Sequence, residues 1–480
     1  MDAGTSQIDN KRPLESRDTS RTVESSANVE SLERRDSEAE LRGHDEARQF
    51  RVYKRRWFGL FQLVLLNIVV SWDWLTFSAS SKTSSEYFGV TETAINWLST
   101  GFLFAFVAIS PLVLWTLHFG PKPAILAASG LILIGNWIRY AGARSNTFGV
   151  VMFGQILIGL AQPFVLTAPT RYSDLWFTDR GRISATAVAS LANPLGGALG
   201  QLIGPLWATS REKVPDMVLY TAIIASIAAI PSLFVPAAPP TPPSASSSLP
   251  KTPLLQSVRS LWTNKSFWLI FIPFSVYVGF FNALSSVLNQ VLFPYGYSED
   301  QAGIGGALLI VVGLLSSAIV SPIIDRNHAY QLIIKLLVPI IGLSYLCFVF
   351  APPTKGLPAP YIILAILGAS SFSLVPVALE YLVEVTWPAS PEVSSVVNWT
   401  GGQLLGAIFI IIMGALKDEH GEPKNNMQRA LVFEAIIALA IVPIPLLLGV
   451  KKFGFGGEDR KRYLVDGGET RSGATEAETR

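Results

Sequence analysis

The chain is poor in charge and nearly without sulfur. Of its 480 residues only 15% are Asp, Glu, Lys or Arg, against 50% that are hydrophobic, and there is a single cysteine. One cysteine, Cys347 inside an apolar run, excludes an internal disulfide and implies no oxidising compartment. The four histidines (His44, His118, His328 and His420) read as lying in loops or tails without paired spacing, so no metal site is expected. The sequence has no Walker lysine motif and no glycine-rich phosphate loop after a strand. No catalytic residue and no cofactor are therefore assigned, and the chain does not read as an enzyme. Its net charge of +2 gives no reason to expect a nucleic-acid partner.

The few charges are unevenly spread, crowding into the first 56 residues, the last 30 and short breaks between apolar runs. That distribution describes a polytopic helical membrane protein whose constant partner is the lipid bilayer. About 20 residues at 1.5 Å each cross the hydrocarbon core. Apolar blocks of that size fall near 57–79, 94–117, 123–143, 148–170, 183–207 and 216–236, then near 267–290, 303–324, 331–350, 360–382, 394–415 and 429–450. The fold expected is an all-α polytopic membrane protein with about twelve transmembrane helices in two six-helix bundles. Residues 51–236 form the first bundle, 237–266 a Pro/Ser-rich cytosolic linker with a short amphipathic piece, and 267–452 the second bundle. Residues 1–50 and 453–480 are solvated tails, the first too acidic for a signal or transit peptide.

Basic residues fix the expected orientation. "RVYKRR" precedes the first block, and Lys122, Arg180, Arg182, Lys251, Arg259, Lys265 and Arg326 fall on the same side. Both termini should be cytosolic, although Arg144, Arg211 and Lys213 oppose the rule. With no organelle signal recognisable, the plasma membrane is the expected location and a monomer the expected state. The halves also echo one another, with Ser110-Pro111 ending the second block and Ser321-Pro322 the eighth. Two six-helix repeats around a midplane site are the architecture of the major facilitator superfamily.

Polar residues inside such blocks are expensive and therefore functional candidates. Gln162, Asn282, Gln403 and Glu380 lie deep and are expected to line a cavity. Arg139, Glu384 and Glu434 lie nearer helix ends, where a wet interface is expected. In "SLANPLGGALGQLIGP", Gly196, Gly197, Gly200 and Gly204 recur at near-helical spacing, which favours close helix packing or a hinge. Asn193-Pro194 is expected to break that helix locally and free a carbonyl.

Stretches along both halves are familiar. "INWLSTGFLFAFVAISPLVLWTL", "GNWIRYAG", "GQILIGLAQPFVLTAPTRYSDLWF", "FNALSSVLNQ", "LEYLVEVTWPASPEVSS" and "GGQLLGAIF" resemble the feline leukemia virus subgroup C receptor-related transporters over roughly residues 51–450. That family is of major facilitator fold and is associated with choline and ethanolamine transport, historically with haem export. The resemblance implies a substrate cage at Trp74, Gln162, Gln403 and a seventh-helix aromatic, Tyr277 or Phe281. It also implies a remnant gate at Asp325-Arg326. Aromatic faces suit a quaternary ammonium, which has no hydrogen bond to donate.

"SWDWL" departs from the family, which more often has a neutral polar residue where Asp73 stands. Asp73 is expected to be a hydrated carboxylate at the cavity rim that recruits a cation or carries a coupling proton, a role for which Glu380 is the other candidate. The function expected is therefore alternating-access transport of a small solute of the choline or ethanolamine kind. The alternatives are a haem or porphyrin exporter, an efflux pump for a hydrophobic metabolite or drug, and a non-transporting receptor. The absence of histidine from the blocks weighs against haem by removing its commonest axial ligand.

Overall fold

The computed structural model describes residues 51–177, 179–241, 254–327, 329–386 and 391–450. Twelve long helices follow the twelve apolar blocks. They are α1 (Arg56–Ala79), α2 (Glu92–His118), α3 (Pro121–Arg144), α4 (Phe148–Trp176), α5 (Asp179–Trp207) and α6 (Val214–Ala229), then α7 (Lys265–Leu292), α8 (Glu299–Asn327), α9 (Tyr330–Phe348), α10 (Pro358–Thr386), α11 (Pro391–Ala415) and α12 (Gln428–Ile441). Among the described residues eleven helices are long and apolar enough to cross a membrane. The exception is α5, which has the length but spends its interior on Asn193, Gln201, two prolines and four glycines. The helix nonetheless runs unbroken through Pro194, so the expected break at Asn193-Pro194 is not there. The Asn193 amide instead reaches across to Asn67 of α1 at 3.4 Å.

Local chemistry sets several helix starts. The Thr91 side chain accepts from the Ala94 amide to cap α2, and the Asn264 side chain accepts from Phe267 to cap α7. Among the described residues three short α-helices lie outside the twelve, one of them Pro443–Leu446 just after α12. Ser81–Phe88 follows α1 and ends at Gly89, whose φ of 63° suits glycine. Leu254–Thr263 is the amphipathic piece expected in the linker, with Leu261 buried and Leu255 83% exposed.

Outer faces are apolar, as lipid requires. On α9, Leu332, Leu336, Ile340 and Leu343 are exposed at spacings of three and four, while Ile334, Val338, Ile341 and Tyr345 on the other face are buried. In water such a stripe would be a liability; in hydrocarbon it costs nothing.

The two halves pair their helices alike. In the first, α1 packs on α5, α2 on α4, α3 on α4 and α3 on α6; in the second, α7 packs on α11, α8 on α10, α9 on α10 and α9 on α12. The bundles then meet along two seams, α2 with α11 and α5 with α8, which exchange under the same correspondence. Small residues make the close approaches. Gly196, Gly200 and Gly204 ride on Ile68, Trp72 and Thr76, so α5 runs parallel to α1 with matched register. Gly197 faces Ser71 and Leu75 of α1 and Ile310 of α8, at the seam between bundles. Gly196, Gly197 and Gly200 thus all lie against α1.

Candidate functional site

Cross-helix contacts put residues from four helices at one depth, near the middle of α2. Trp74 of α1 stacks on Phe102 of α2, with centroids 6.3 Å apart and planes 21° off parallel. Gly159 of α4 packs against the Phe102 backbone, and Gly406 of α11 lies between Leu103 of α2 and Asn282 of α7. Gln162 is three residues beyond Gly159, and Gln403 three residues before Gly406. Because α4 and α11 run in opposite directions, both steps lead the same way, toward the terminus side of the bundle. Trp74, Gln162, Asn282 and Gln403 therefore belong to one layer about a helical turn thick.

That layer is buried and partly unpaired. Trp74 is 5% exposed, and Gln162, Asn282 and Gln403 are each 3% exposed. The Asn282 amide donates to Gln403 Oε1 at 3.0 Å. Among the described residues, Gln162 Oε1 has no donor and Trp74 Nε1 no acceptor. A buried carbonyl oxygen without a partner is costly unless something else fills the valence. An aromatic face, an unpaired amide oxygen and a polar pair together can hold a small group carrying positive charge and a hydroxyl.

The two seventh-helix aromatics differ. Phe281 meets Phe372 of α10 edge to face at 5.2 Å, next to Asn282. Tyr277 points elsewhere, for its hydroxyl donates to the Ala438 carbonyl of α12 at 2.9 Å. Its side chain braces α7 against an outer helix rather than presenting a free aromatic face to the layer.

Asp73 and Arg139 correct the expectation made for them. Asp73 is 1% exposed and Arg139 fully buried, so neither is the hydrated side chain expected. They form an ion pair at 2.5 Å between α1 and α3. The second carboxylate oxygen of Asp73 accepts from Asn136 at 2.6 Å. The guanidinium also donates to Gln155 of α4, Thr221 of α6 and the Asp73 carbonyl, and lies over the Phe77 ring. Four helices are tied at one point. Being one residue apart, Asp73 and Trp74 project about 100° apart round α1, and the structure sends the acid into the bundle while the indole faces α2. The signal missed in sequence was Asn136 and Arg139 in "GNWIRY", three apart on one helix face.

Glu434 also departs from its expected wet interface. It is 1% exposed, and among the described residues neither carboxylate oxygen has a hydrogen-bond partner. The side chains of Glu380, Glu384, Asp325 and Arg326 lie outside the described residues, which leaves the acid and gate roles read for them without a structural account.

The bundles are latched on the side opposite the termini. Asn96 of α2 and Gln290 of α7 exchange two amide bonds, at 3.2 and 2.6 Å. Glu299, at the start of α8, accepts from the Lys82 and Thr83 amides, the Thr83 hydroxyl and Asn289. A carboxylate from the second bundle thus caps the short helix Ser81–Phe88 of the first. Lys417, two residues past α11, pairs with Glu92 of α2 at 2.5 Å, and Gln201 of α5 donates to the Ser285 carbonyl of α7 at 2.6 Å. Nearby, Tyr87 gives its hydroxyl to the Ala143 carbonyl, and burial pushes its ionisation above the usual phenol range.

Two bundles of alternating helices, latched at one face over a buried polar layer, define a membrane carrier. The sequence pattern of the Major Facilitator Superfamily matches residues 63–449, and the chain belongs to that superfamily as a multi-pass membrane transporter. Within it the chain is of the solute carrier 49 and FLVCR kind. It is 34% identical over 394 residues to Solute carrier family 49 member A3 of Danio rerio, covering 79% of this chain and 82% of that one. It is 27% identical over 406 residues to the human Choline/ethanolamine transporter FLVCR2, covering 80% and 76%. Among solved structures, a bacterial homolog of the lysosomal transporter Spinster, in an inward-facing and occupied conformation, shares the fold. That likeness has a TM-score of 0.61 at 12% identity, covering 83% of this chain and 97% of that one.

Proposed function

We propose that the chain moves a small organic cation of the choline or ethanolamine class by alternating access, held between the Trp74 ring, Gln162, Phe281, Asn282 and Gln403. The observation that carries this reading is the unpaired Gln162 Oε1, buried in the same layer as the Trp74 face. An ammonium group against a desolvated indole is worth about 2 kcal/mol, and an amide oxygen adds charge complementarity without the cost of a full buried charge. Asn282 and Gln403 together offer donor and acceptor to a substrate hydroxyl. The choline/ethanolamine names of several relatives support the same class.

Under this reading both termini are cytosolic, the plasma membrane is home, and the latch at Glu299 and Gln290 is the closed outer gate. Asp73 is an internal brace in this scheme and no longer a recruiter of cations. The test is uptake of labelled choline and ethanolamine in cells lacking their own carriers. Saturable uptake is expected, with Trp74→Ala raising KM about 30-fold, the equivalent of about 2 kcal/mol. Surface-expressed protein that moves neither compound would overturn the substrate class.

A further inference from the structure

Glu434 is a buried acid that the substrate layer does not use. It sits on α12 beside Phe433, which meets Phe280 of α7 edge to face at 6.2 Å, so it lies at the depth of Phe281 and Asn282. It is on the other side of α7 from the substrate layer. The groups that face it are few. Tyr345 of α9 is close enough to interact with its charge, Tyr277 of α7 lies near Tyr345 in turn, and Phe433, the neighbour of Glu434 on α12, packs on Phe409 of α11. On α12 itself the nearest charge is Arg429, more than a turn away and already paired with Asp418 at 3.1 Å. Among the described residues no basic side chain pairs with Glu434, and neither of its oxygens has a hydrogen-bond partner. An ionised carboxylate so placed is strongly disfavoured, whereas a neutral carboxylic acid is tolerated.

We propose that Glu434 is a proton-binding site of the transport cycle, loaded in the state described and emptied to water when α12 becomes hydrated in the opposite state. The connection to the substrate layer is short. Ala438, one turn from Glu434 on the same face of α12, accepts the Tyr277 hydroxyl, and Phe281 follows Tyr277 by one turn on α7. A charge appearing at Glu434 would draw water into the α7–α12 contact and loosen that brace, shifting the helix that carries Phe281 and Asn282. Proton binding and substrate binding would then bias the same helix. The coupling rests on the carrier reading above; the proton site itself does not.

Two measurements separate them. Infrared difference spectra of the detergent-solubilised full chain, between acid and alkaline buffer and with no substrate present, should show a protonated carboxyl band absent from Glu434→Gln. A wild-type spectrum without such a band, or one unchanged in the variant, overturns the proton site. In proteoliposomes with an internal pH dye, a choline gradient should move protons in the wild type, and a pH difference of one unit should drive about tenfold accumulation for a one-to-one couple. Glu434→Gln should still exchange labelled for unlabelled choline while moving no protons. Choline flux without proton movement in the wild type overturns the coupling and leaves the substrate reading standing. Absence of all choline flux, with the infrared band present, removes the substrate reading and leaves the proton site.

Discussion

Among the described residues each bundle buries one acid near the contact of its third and sixth helices, Asp73 reaching there from α1 and Glu434 standing on α12 itself, and the two are treated in opposite ways. In the first, α3 and α6 bring Arg139 and Thr221 together, and Asp73 of α1 completes an ion pair with both carboxylate oxygens bonded. In the second, the equivalent pair α9 and α12 brings Tyr345 to Glu434, and the acid is left with no partner among the described residues. A buried charge with a full set of partners is a clamp, because removing any one of them strands the rest. One without partners is adjustable, because a proton alone decides whether it is charged. On the proton-site proposal, the first bundle holds its shape at this point and the second changes its state.

The sharpest way to break this contrast is Arg139→Ala, which strands Asp73. A loss of about 3–5 kcal/mol is expected, read as a large drop in the thermal midpoint of purified protein, whereas Asp73→Asn combined with Arg139→Gln should recover most of it. Helix packing offers a second comparison. A β-carbon added at Gly196 would meet the Ile68 carbonyl, and at Gly200 it would lie 3.0 Å from the Trp72 carbonyl. At Gly401 and Gly402 of the matching α7–α11 seam it would meet side chains instead, those of Ser275, Phe271 and Val278. Gly196→Ala should therefore cost about 1–3 kcal/mol and Gly401→Ala less, since a side chain can turn aside and a carbonyl cannot.

Between the bundles, Glu299→Gln removes a charge from the far-side latch. A loss of about 1.5 kcal/mol, or about tenfold in the closed population, is expected. Paired spin labels on the ends of α1 and α7 would read it as a longer distance, in a Cys347→Ser background because that cysteine is exposed. The smallest effect should come from Glu434→Gln. It should leave the thermal midpoint within about 0.5 kcal/mol of wild type, since no bond is lost; a destabilisation like that of Arg139→Ala would erase the contrast.

Periodicity and length made the twelve helices legible, because lipid leaves a chain few choices: apolar for about 20 residues, then a polar break. The layer was legible in part for a related reason, since Gln162, Asn282 and Gln403 are polar where polarity is expensive. What escaped was partnership. Asp73 and Arg139 are 66 residues apart, and nothing local says that α1 and α3 will bring them together. Depth along a helix misled for Arg139, which stands near a helix end but faces inward, so that rotation about the axis decides its exposure, and it misled for Glu434 because the residue stands midway along α12. Tyr277 and Phe281 share a helix face closely enough that sequence could not separate them; only the Ala438 carbonyl does.

The odd helix α5 has a consequence for how the protein is made. Among the described residues eleven helices are long and apolar enough to cross a membrane, and α5 is not one of them. The fifth carries more polar and glycine residues, and Gly196, Gly200 and Gly204 pack against α1. Membrane insertion of this chain should therefore be a joint act, with α1 waiting at the translocon's lateral gate until α5 arrives some 120 residues later. Substitutions that fill that α1–α5 contact would then appear first as chains in which the seven helices after α5 are threaded the wrong way, before any defect in transport could be measured.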